Sequence, residues 1–229
     1  MSAIAVIPAR GGSKGLVGKN KVLLRGVSLV ERSILAAKAV PAISRIVVSS
    51  DDEDIIGIAQ QLKVEVVRRP QHLSSDNTPI EAAITHALNV VVRHSFFPDA
   101  LVLLQPTSPL RDEQVLADAL YRFELGGCSG SVFGVITAEH HPAKMFRISS
   151  EELVPFTTAT DLSRPRQELP QVVRQSGSLY IVGTKQFLLS QSLFVRPARW
   201  VEVSAEEAID IDTSSDLDAA HRALHSRHC

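Results

Sequence analysis

Residues 10–20 read Arg-Gly-Gly-Ser-Lys-Gly-Leu-Val-Gly-Lys-Asn, placing Gly11, Gly12, Gly15 and Gly18 among the cations Arg10, Lys14 and Lys19. Glycine lets a backbone turn with positive φ and bring its N–H groups against a ligand. Successive N–H groups in such a loop form a concave anion site, and the cations supply countercharge, as a nucleotide's phosphates require. The spacing is neither that of a Walker A loop nor G-x-G-x-x-G, and a mobile surface loop is the plain alternative. Near the other end stands Asp210-Ile211-Asp212. In an extended segment both carboxylates project to one side. Two hard oxygen donors with open sides for water and phosphate suit Mg²⁺. The same acids could instead cap the last helix, where Ser214 or Ser215 is the expected cap. Asp210-Ile211-Asp212-Thr213 also fits a phosphatase-type Asp-x-Asp-x-Thr string, though at the wrong end of a chain for that motif.

Other chemistry-bearing residues carry two readings each. Asp51 and Asp52 supply a further metal ligand or the cap of a helix beginning at Glu53. Lys144, Arg164, Arg166 and Arg174 gather cations in a stretch poor in acids, suited to a carboxylate of an anionic substrate or simply solvated. His140-His141-Pro142 offers adjacent imidazoles that face opposite ways on an extended chain, which fits shaping of the backbone better than metal ligation. Tyr180 and Leu193-Phe194 form an apolar wall for a substrate acyl group, or core.

The elements that position these residues follow from hydrophobic patterning. Apolar runs at Ala3–Ile7, Ile46–Ser49, Val64–Val67 and Leu101–Leu104 read as strands buried on both faces. Between them, residues 29–40, 53–62 and 80–92 carry apolar side chains at helical spacing. Such alternation predicts an α/β chain with right-handed βαβ units, a mainly parallel sheet and helices on both faces. Ligands of such sheets sit at the carboxyl ends of the strands. The glycine loop, Ser50-Asp51-Asp52, Arg68-Arg69-Pro70 and residues 105–111 all fall there, so four polar loops converge on one rim. From about Val132 to Val182 the pattern turns to strands and irregular polar pieces, an inserted arm, before strands at Leu179–Val182 and Trp200–Val203 and a helix over residues 215–225.

At 229 residues, 45% hydrophobic and 21% charged, the chain can bury a core of its own. A net charge of −1 gives no footprint for nucleic acid or a membrane surface. Cys128 and Cys229 are too few for a disulfide framework. No stretch has the length of a membrane span and no leader pattern precedes the first strand, so a soluble cytoplasmic protein is expected.

Together, residues 7–15 with Gly18-Lys19-Asn20, Val48–Asp51, Leu103–Arg111, Glu139–Pro142, Pro165–Pro170 and Ile209–Thr213 resemble the CMP-sialic acid synthetases, or acylneuraminate cytidylyltransferases. The likeness runs in order over nearly the whole chain. It implies a Rossmann-like three-layer nucleotidyltransferase fold, one cytidylyltransferase domain over residues 1–229 with an inserted dimerisation arm at about 138–178, and a homodimer whose arm reaches the neighbouring site. It implies transfer of CMP from CTP to the anomeric hydroxyl of a nine-carbon 2-keto sugar acid, with Mg²⁺ and release of pyrophosphate. By the same likeness Ala9, Arg10, Gly11, Gly12, Ser13, Lys19 and Asn20 bind the nucleotide, with Arg10, Lys19 and Asn20 on its phosphates, and Arg69 and Thr78 surround cytosine and ribose. Gln105, Arg111, Lys144, Arg166, Arg174, Tyr180 and Phe194 bind the sugar acid. Asp210 and Asp212 hold Mg²⁺ and, with Arg10 and Lys19, carry catalysis. Pro79-Ile80 after Ser75-Asp76, and Ser176-Gly177-Ser178 in place of Asn-Gly-Ala, depart from the sialic acid pattern near the sugar. Legionaminic or pseudaminic acid are therefore alternatives to N-acetylneuraminate; a CMP-Kdo-type enzyme or a non-catalytic nucleotide-binding module are more distant ones.

Overall fold

The computed structural model describes residues 1–12, 15–92 and 97–226. Ser13 and Lys14 of the glycine loop, and Cys229, lie outside them. The chain runs β1 (Ala3–Pro8), a short hairpin of β2 (Leu23–Leu24) and β3 (Val27–Ser28), α1 (Leu29–Lys38), β4 (Ile43–Ser50), α2 (Glu53–Gln61), β5 (Glu65–Arg68), α3 (Ile80–Val92) and β6 (Ala100–Leu103). It continues through α4 (Glu113–Leu125), β7 (Ser131–Thr137), β8 (Phe146–Ser149), β9 (Glu152–Pro155), α5 (Ala159–Ser163), β10 (Val173–Gly183), α6 (Thr184–Ser190), β11 (Ala198–Glu202) and α7 (Ser214–Ser226).

Seven strands form one sheet in the order β11-β7-β10-β6-β1-β4-β5. Strand β10 runs antiparallel to both neighbours, and the other pairings are parallel. The apolar run of β1 is explained by its central place: Ala3 through Ile7 have no exposed surface. Helices α1, α2 and α4 cover one face, packing Val30, Ile34, Ile55, Leu120 and Phe123 against Ile7, Val48 and Val102. Helices α3 and α6 cover the other, with Ile84, Leu88 and Phe187 on Val6, Val47 and Leu101. Each large aliphatic side chain fully buried there contributes roughly 1.5–3 kcal/mol. This is the three-layer α/β arrangement expected, and no helix of the described residues is long and apolar enough to cross a membrane.

Two helices absent from the sequence reading complete the layers. Helix α4 begins at Asp112, whose carboxylate accepts from Gln114 N at 2.7 Å, and buries Leu116, Ala119, Leu120 and Phe123. Helix α6 is too short for a periodic signal. In the arm region, β8 and β9 form a separate two-stranded ribbon, while β7 and β10 belong to the main sheet. Strand β10 leaves its register with β7 between Gln175 and Tyr180, a bulge in which Gly177 takes φ +81° and Ser176 Oγ donates to Gly134 O at 2.9 Å.

The expected cap of the last helix is corrected. Thr213 Oγ1 accepts from Asp216 N at 3.3 Å while Asp216 Oδ2 accepts from Thr213 N at 2.8 Å, a reciprocal box that displaces Ser214 and Ser215 from the role. Neither Asp210 nor Asp212 caps α7 through its carboxylate, so both are left for other work.

Candidate active site

The glycine loop is built by contacts that only glycine permits. Gly11 N donates to Asp51 Oδ1 at 3.0 Å, and a Cβ on Gly11 would stand 2.7 Å from Asp52 Oδ2. A Cβ on Gly15 would stand 2.5 Å from the backbone oxygen of Asp212. Gly18 turns the chain at φ +63° into the single 3-10 turn Lys19–Lys21. The buried Asn20 amide then donates to Arg10 O at 2.8 Å and fastens the start of the loop to its end.

Asp51 and Asp52 serve this loop and its helix. Asp52 Oδ1 accepts from Asp54 N at 2.9 Å and Ile55 N at 3.1 Å as the cap of α2, and its Oδ2 receives Lys21 Nζ at 2.9 Å. Burial alone would raise the Asp52 carboxyl; Lys21 and the two backbone donors outweigh it and hold the group below the usual carboxylate range.

The two ends of the chain meet at one point. Lys19 Nζ donates to Asp212 Oδ1 at 2.7 Å. Ile211 is fully buried between the two aspartates, packed with Leu24, Leu29, Leu110 and Leu224, and its N–H donates to Thr107 O at 2.7 Å. That anchorage leaves Asp210 and Asp212 exposed on one side, the alternation expected of an extended segment. Asp210 Oδ2 faces the bulge of β10, 3.8 Å from where a Cβ of Gly177 would be.

Beside this junction lies an open cleft lined by Arg10, Lys19, Asn20, Arg69, Thr78 and Gln105, among others. Arg69 is buried, its Nη2 donating to Ser49 O at 2.8 Å, and desolvation lowers its pKa. Arg10 pairs with Asp76 at 2.5 Å across the cleft, and Thr78 Oγ1 lies 2.7 Å from Ser75 Oγ. Of the nucleotide set named from sequence, Arg10, Lys19, Asn20, Arg69 and Thr78 thus line the cleft, while Ala9 is buried, Gly11 is half-buried and Gly12 is exposed. The sequence reading did not single out Asp76, whose position depends on how residues 74–79 fold over Arg10.

Of the sugar-side residues, Gln105 lines the cleft, and Tyr180 and Phe194 line an adjoining cavity with Phe133 and Gln175. Arg111 stands behind the rim: its guanidinium donates to Ser178 O, Gln105 O and, at 3.0 Å, Ser33 Oγ. Desolvation pushes it down to about 9 against the pull of Asp210 and Glu207, so it is still charged at neutral pH. Its contacts tie the Gln105 loop to the β10 bulge. Lys144, Arg166 and Arg174 line neither cavity. Lys144 Nζ donates to the carbonyls of Asp161, Leu162 and Arg164 and so closes α5. Arg174 is 3.8 Å from Glu139, and Arg166 is exposed. His141 Nδ1 accepts from Ala143 N at 3.1 Å and its Nε2 lies 3.0 Å from Pro170 O, which makes it a brace of the arm.

A hydrated Mg²⁺ fits the acidic pair. Among the described residues no cluster of three or more His, Cys, Asp or Glu forms a closed metal site. Two exposed carboxylates beside a cationic cleft supply the few hard oxygens that this ion takes while keeping waters and phosphates.

Comparison with known proteins bears on the family. A family model described as cytidylyltransferase matches residues 4–130. CMP-N,N'-diacetyllegionaminic acid synthase of Legionella pneumophila is 34% identical over 219 residues, covering 94% of this chain and 93% of that protein. Pseudaminic acid cytidylyltransferase of Campylobacter jejuni is 28% identical over 222 residues, covering 96% and 95%. N-acylneuraminate cytidylyltransferase of Escherichia coli is 28% identical over 217 residues; the match covers 95% of this chain and 51% of that protein, about half its length. Among solved structures, a CMP:2-keto-3-deoxy-manno-octonic acid synthetase complexed with CTP aligns over 100% of both chains at TM-score 0.71 and 16% identity, a likeness of fold.

Proposed function

This chain belongs to the cytidylyltransferase family, and from that premise we propose that it transfers CMP from CTP to the anomeric hydroxyl of a nonulosonic acid, releasing pyrophosphate. The observation that carries the reading is the 2.7 Å contact of Lys19 with Asp212, which joins the glycine loop to the acidic pair at the mouth of a cationic cleft. The relatives named for CMP transfer to legionaminic, neuraminic and pseudaminic acids support the acceptor class.

In this mechanism Arg10, Lys19 and the glycine loop hold the triphosphate, and Arg69 and Thr78 border the nucleoside. Asp210 and Asp212 would hold Mg²⁺, which would supply charge neutralisation for the departing pyrophosphate. The sugar acid lies beyond Gln105, so that its anomeric oxygen attacks the α-phosphorus in line with the bond to the leaving group. Positioning and charge compensation dominate such a reaction. Lys19, held 2.7 Å from Asp212, keeps a cation beside the phosphates where charge develops.

The protein acts as a homodimer in this reading, with Arg166 and Arg174 of one arm directed to the other subunit's sugar site. Support comes from the β8–β9 ribbon, where Ile148 and Leu153 are 80% and 66% exposed and need cover. The place of action is the cytoplasm. The test is Mg²⁺-dependent pyrophosphate release from CTP on addition of N-acetylneuraminic, diacetyllegionaminic or diacetylpseudaminic acid. Release with none of the three contradicts the reading.

A further inference from the structure

The turn of the β2–β3 hairpin meets the last turns of α7 over an open surface hollow lined by Arg25, His221, Arg222, His225 and Ser226. None of these residues lines the nucleotide cleft. We propose that the hollow is a second anion site, which binds a phosphate group carrying two negative charges and so clamps the hairpin to α7. It stands apart from the CMP transfer proposed above and does not depend on it.

Arg25 is the unusual residue. A two-residue hairpin turn with positive φ at both positions favours Asn-Gly or Asp-Gly, because few other side chains tolerate the left-handed region. Here the pair is Arg25-Gly26, at φ +52° and +79°. The arginine reaches across to α7, where its Nη2 lies 3.0 Å from His225 Nδ1. A guanidinium has no acceptor, so Nδ1 accepts and the imidazole proton sits on Nε2. That contact supplies no countercharge. On α7, His221 lies one turn before His225, and Arg222 is its neighbour at the three-residue spacing. No Asp or Glu lines the hollow among the described residues. A third guanidinium stands beside the hairpin: Arg32 Nη2 donates to Leu24 O at 2.6 Å, and its Nε is buried without a hydrogen-bond partner. Burial lowers the pKa of Arg32, Glu31 draws it back up, and Arg25 pushes it down again.

Cations in the last turn of a helix answer its exposed carbonyls, and Arg222 and His225 need no other explanation. Arg25 does need one. It belongs to a different element and brings like charge to a helix end that is already cationic. A bound dianion cancels that repulsion and uses the donors present, because each guanidinium offers paired N–H groups that match phosphate oxygens. The consequence reaches inward. Leu24 and Leu224, each next in sequence to a lining residue, pack in the cluster that buries Ile211 between Asp210 and Asp212.

The test titrates inorganic phosphate into the full chain without nucleotide, replacing chloride at fixed ionic strength and pH, and follows the histidine rings by ¹H–¹³C NMR. His221 and His225 are expected to shift together and saturate with a Kd at or below about 1 mM. Arg25→Gln and Arg222→Gln, both at exposed side chains, should each weaken that binding about tenfold or more, with Tm unchanged when phosphate is absent. At ten times Kd, phosphate should raise the Tm of the parent by about 3–6 °C more than that of Arg25→Gln. Saturation by the phosphate of CMP in place of the free ion also supports the site and identifies a nucleotide as its source. His72, next to Leu73 on the cleft wall, reports separately on phosphate in the cleft. A shift of His72 alone overturns the proposal, as does a drift of His221 and His225 that never saturates, or an unchanged Kd in both variants.

Discussion

Replacing Asp212 by asparagine separates catalysis from folding more sharply than any other single change. The Asp212 side chain is 67% exposed and its Lys19 partner 17% exposed. Ion pairs of such exposure are worth roughly 0.2–1 kcal/mol, because water screens them and both side chains lose freedom. For a chain of this size a loss of about 1 kcal/mol lowers Tm by only about 2–4 °C. The backbone N–H of Asp212, which donates to Asp216 Oδ2 at 3.1 Å, is untouched by the substitution. The effect on turnover is of another order. In the proposed reaction, losing one of the two carboxylates that would hold Mg²⁺ weakens neutralisation of the leaving pyrophosphate by about 3–5 kcal/mol, and at about 1.4 kcal/mol per decade kcat falls roughly 10²–10⁴-fold. Differential scanning fluorimetry and pyrophosphate release at saturating CTP and Mg²⁺ measure the two quantities side by side. A kcat within tenfold of the parent, or a Tm loss above about 10 °C, refutes the reasoning.

Three further outcomes follow from the same geometry. Gly11→Ala places a methyl 2.7 Å from Asp52 Oδ2 and so displaces the glycine loop; the KM for CTP is expected to rise about tenfold or more with little change in Tm, and an unchanged KM counts against the phosphate role. Because the folded carboxyl of Asp52 lies below its unfolded value, its stabilisation is complete above about pH 4 and fades as pH falls toward the lower folded value. Asp52→Asn should therefore flatten the acid-side fall in Tm, and parallel profiles would contradict the assignment. Arg111→Met removes a charged donor from the carbonyls of Ser178 and Gln105, the latter keeping the Ser108 N–H at 3.2 Å; a loss of about 1–3 kcal/mol is expected, read by urea unfolding, with less than about 1 kcal/mol excluding a structural role.

The sequence made the two segments that meet at Lys19 and Asp212 legible because each is local. Gly11, Gly15 and Gly18 announce close backbone approach, and the alternation across Asp210-Ile211-Asp212 announces one buried and two outward side chains, whatever the rest of the chain does. The sheet was legible for a similar reason: strands buried on both faces must be continuously apolar, as β1 is. Helix α4 was written in the sequence too, with a capping Asp112 and apolar residues at 116, 119, 120 and 123, but it falls between motifs that drew the reading elsewhere. Phe133 could not be recognised as a cavity wall, because its neighbours Tyr180 and Phe194 are brought to it by the antiparallel insertion of β10. Arg111 reads from sequence as a ligand-facing cation. Its guanidinium instead pins two carbonyls, a choice made by the burial of the loop around it.

In the proposed reaction the glycine loop and the acidic pair of Asp210 and Asp212 act on one nucleotide. Calorimetric titration of CTP in Mg²⁺ against the parent, Lys19→Met, Asp212→Asn and the double variant tests it directly. If the two side chains share the triphosphate–metal unit, the double variant loses less than the sum of the single losses, with a coupling of about 0.5–3 kcal/mol, as expected for residues in contact. Losses that add to within about 0.5 kcal/mol would place the two groups at independent sites and contradict the account.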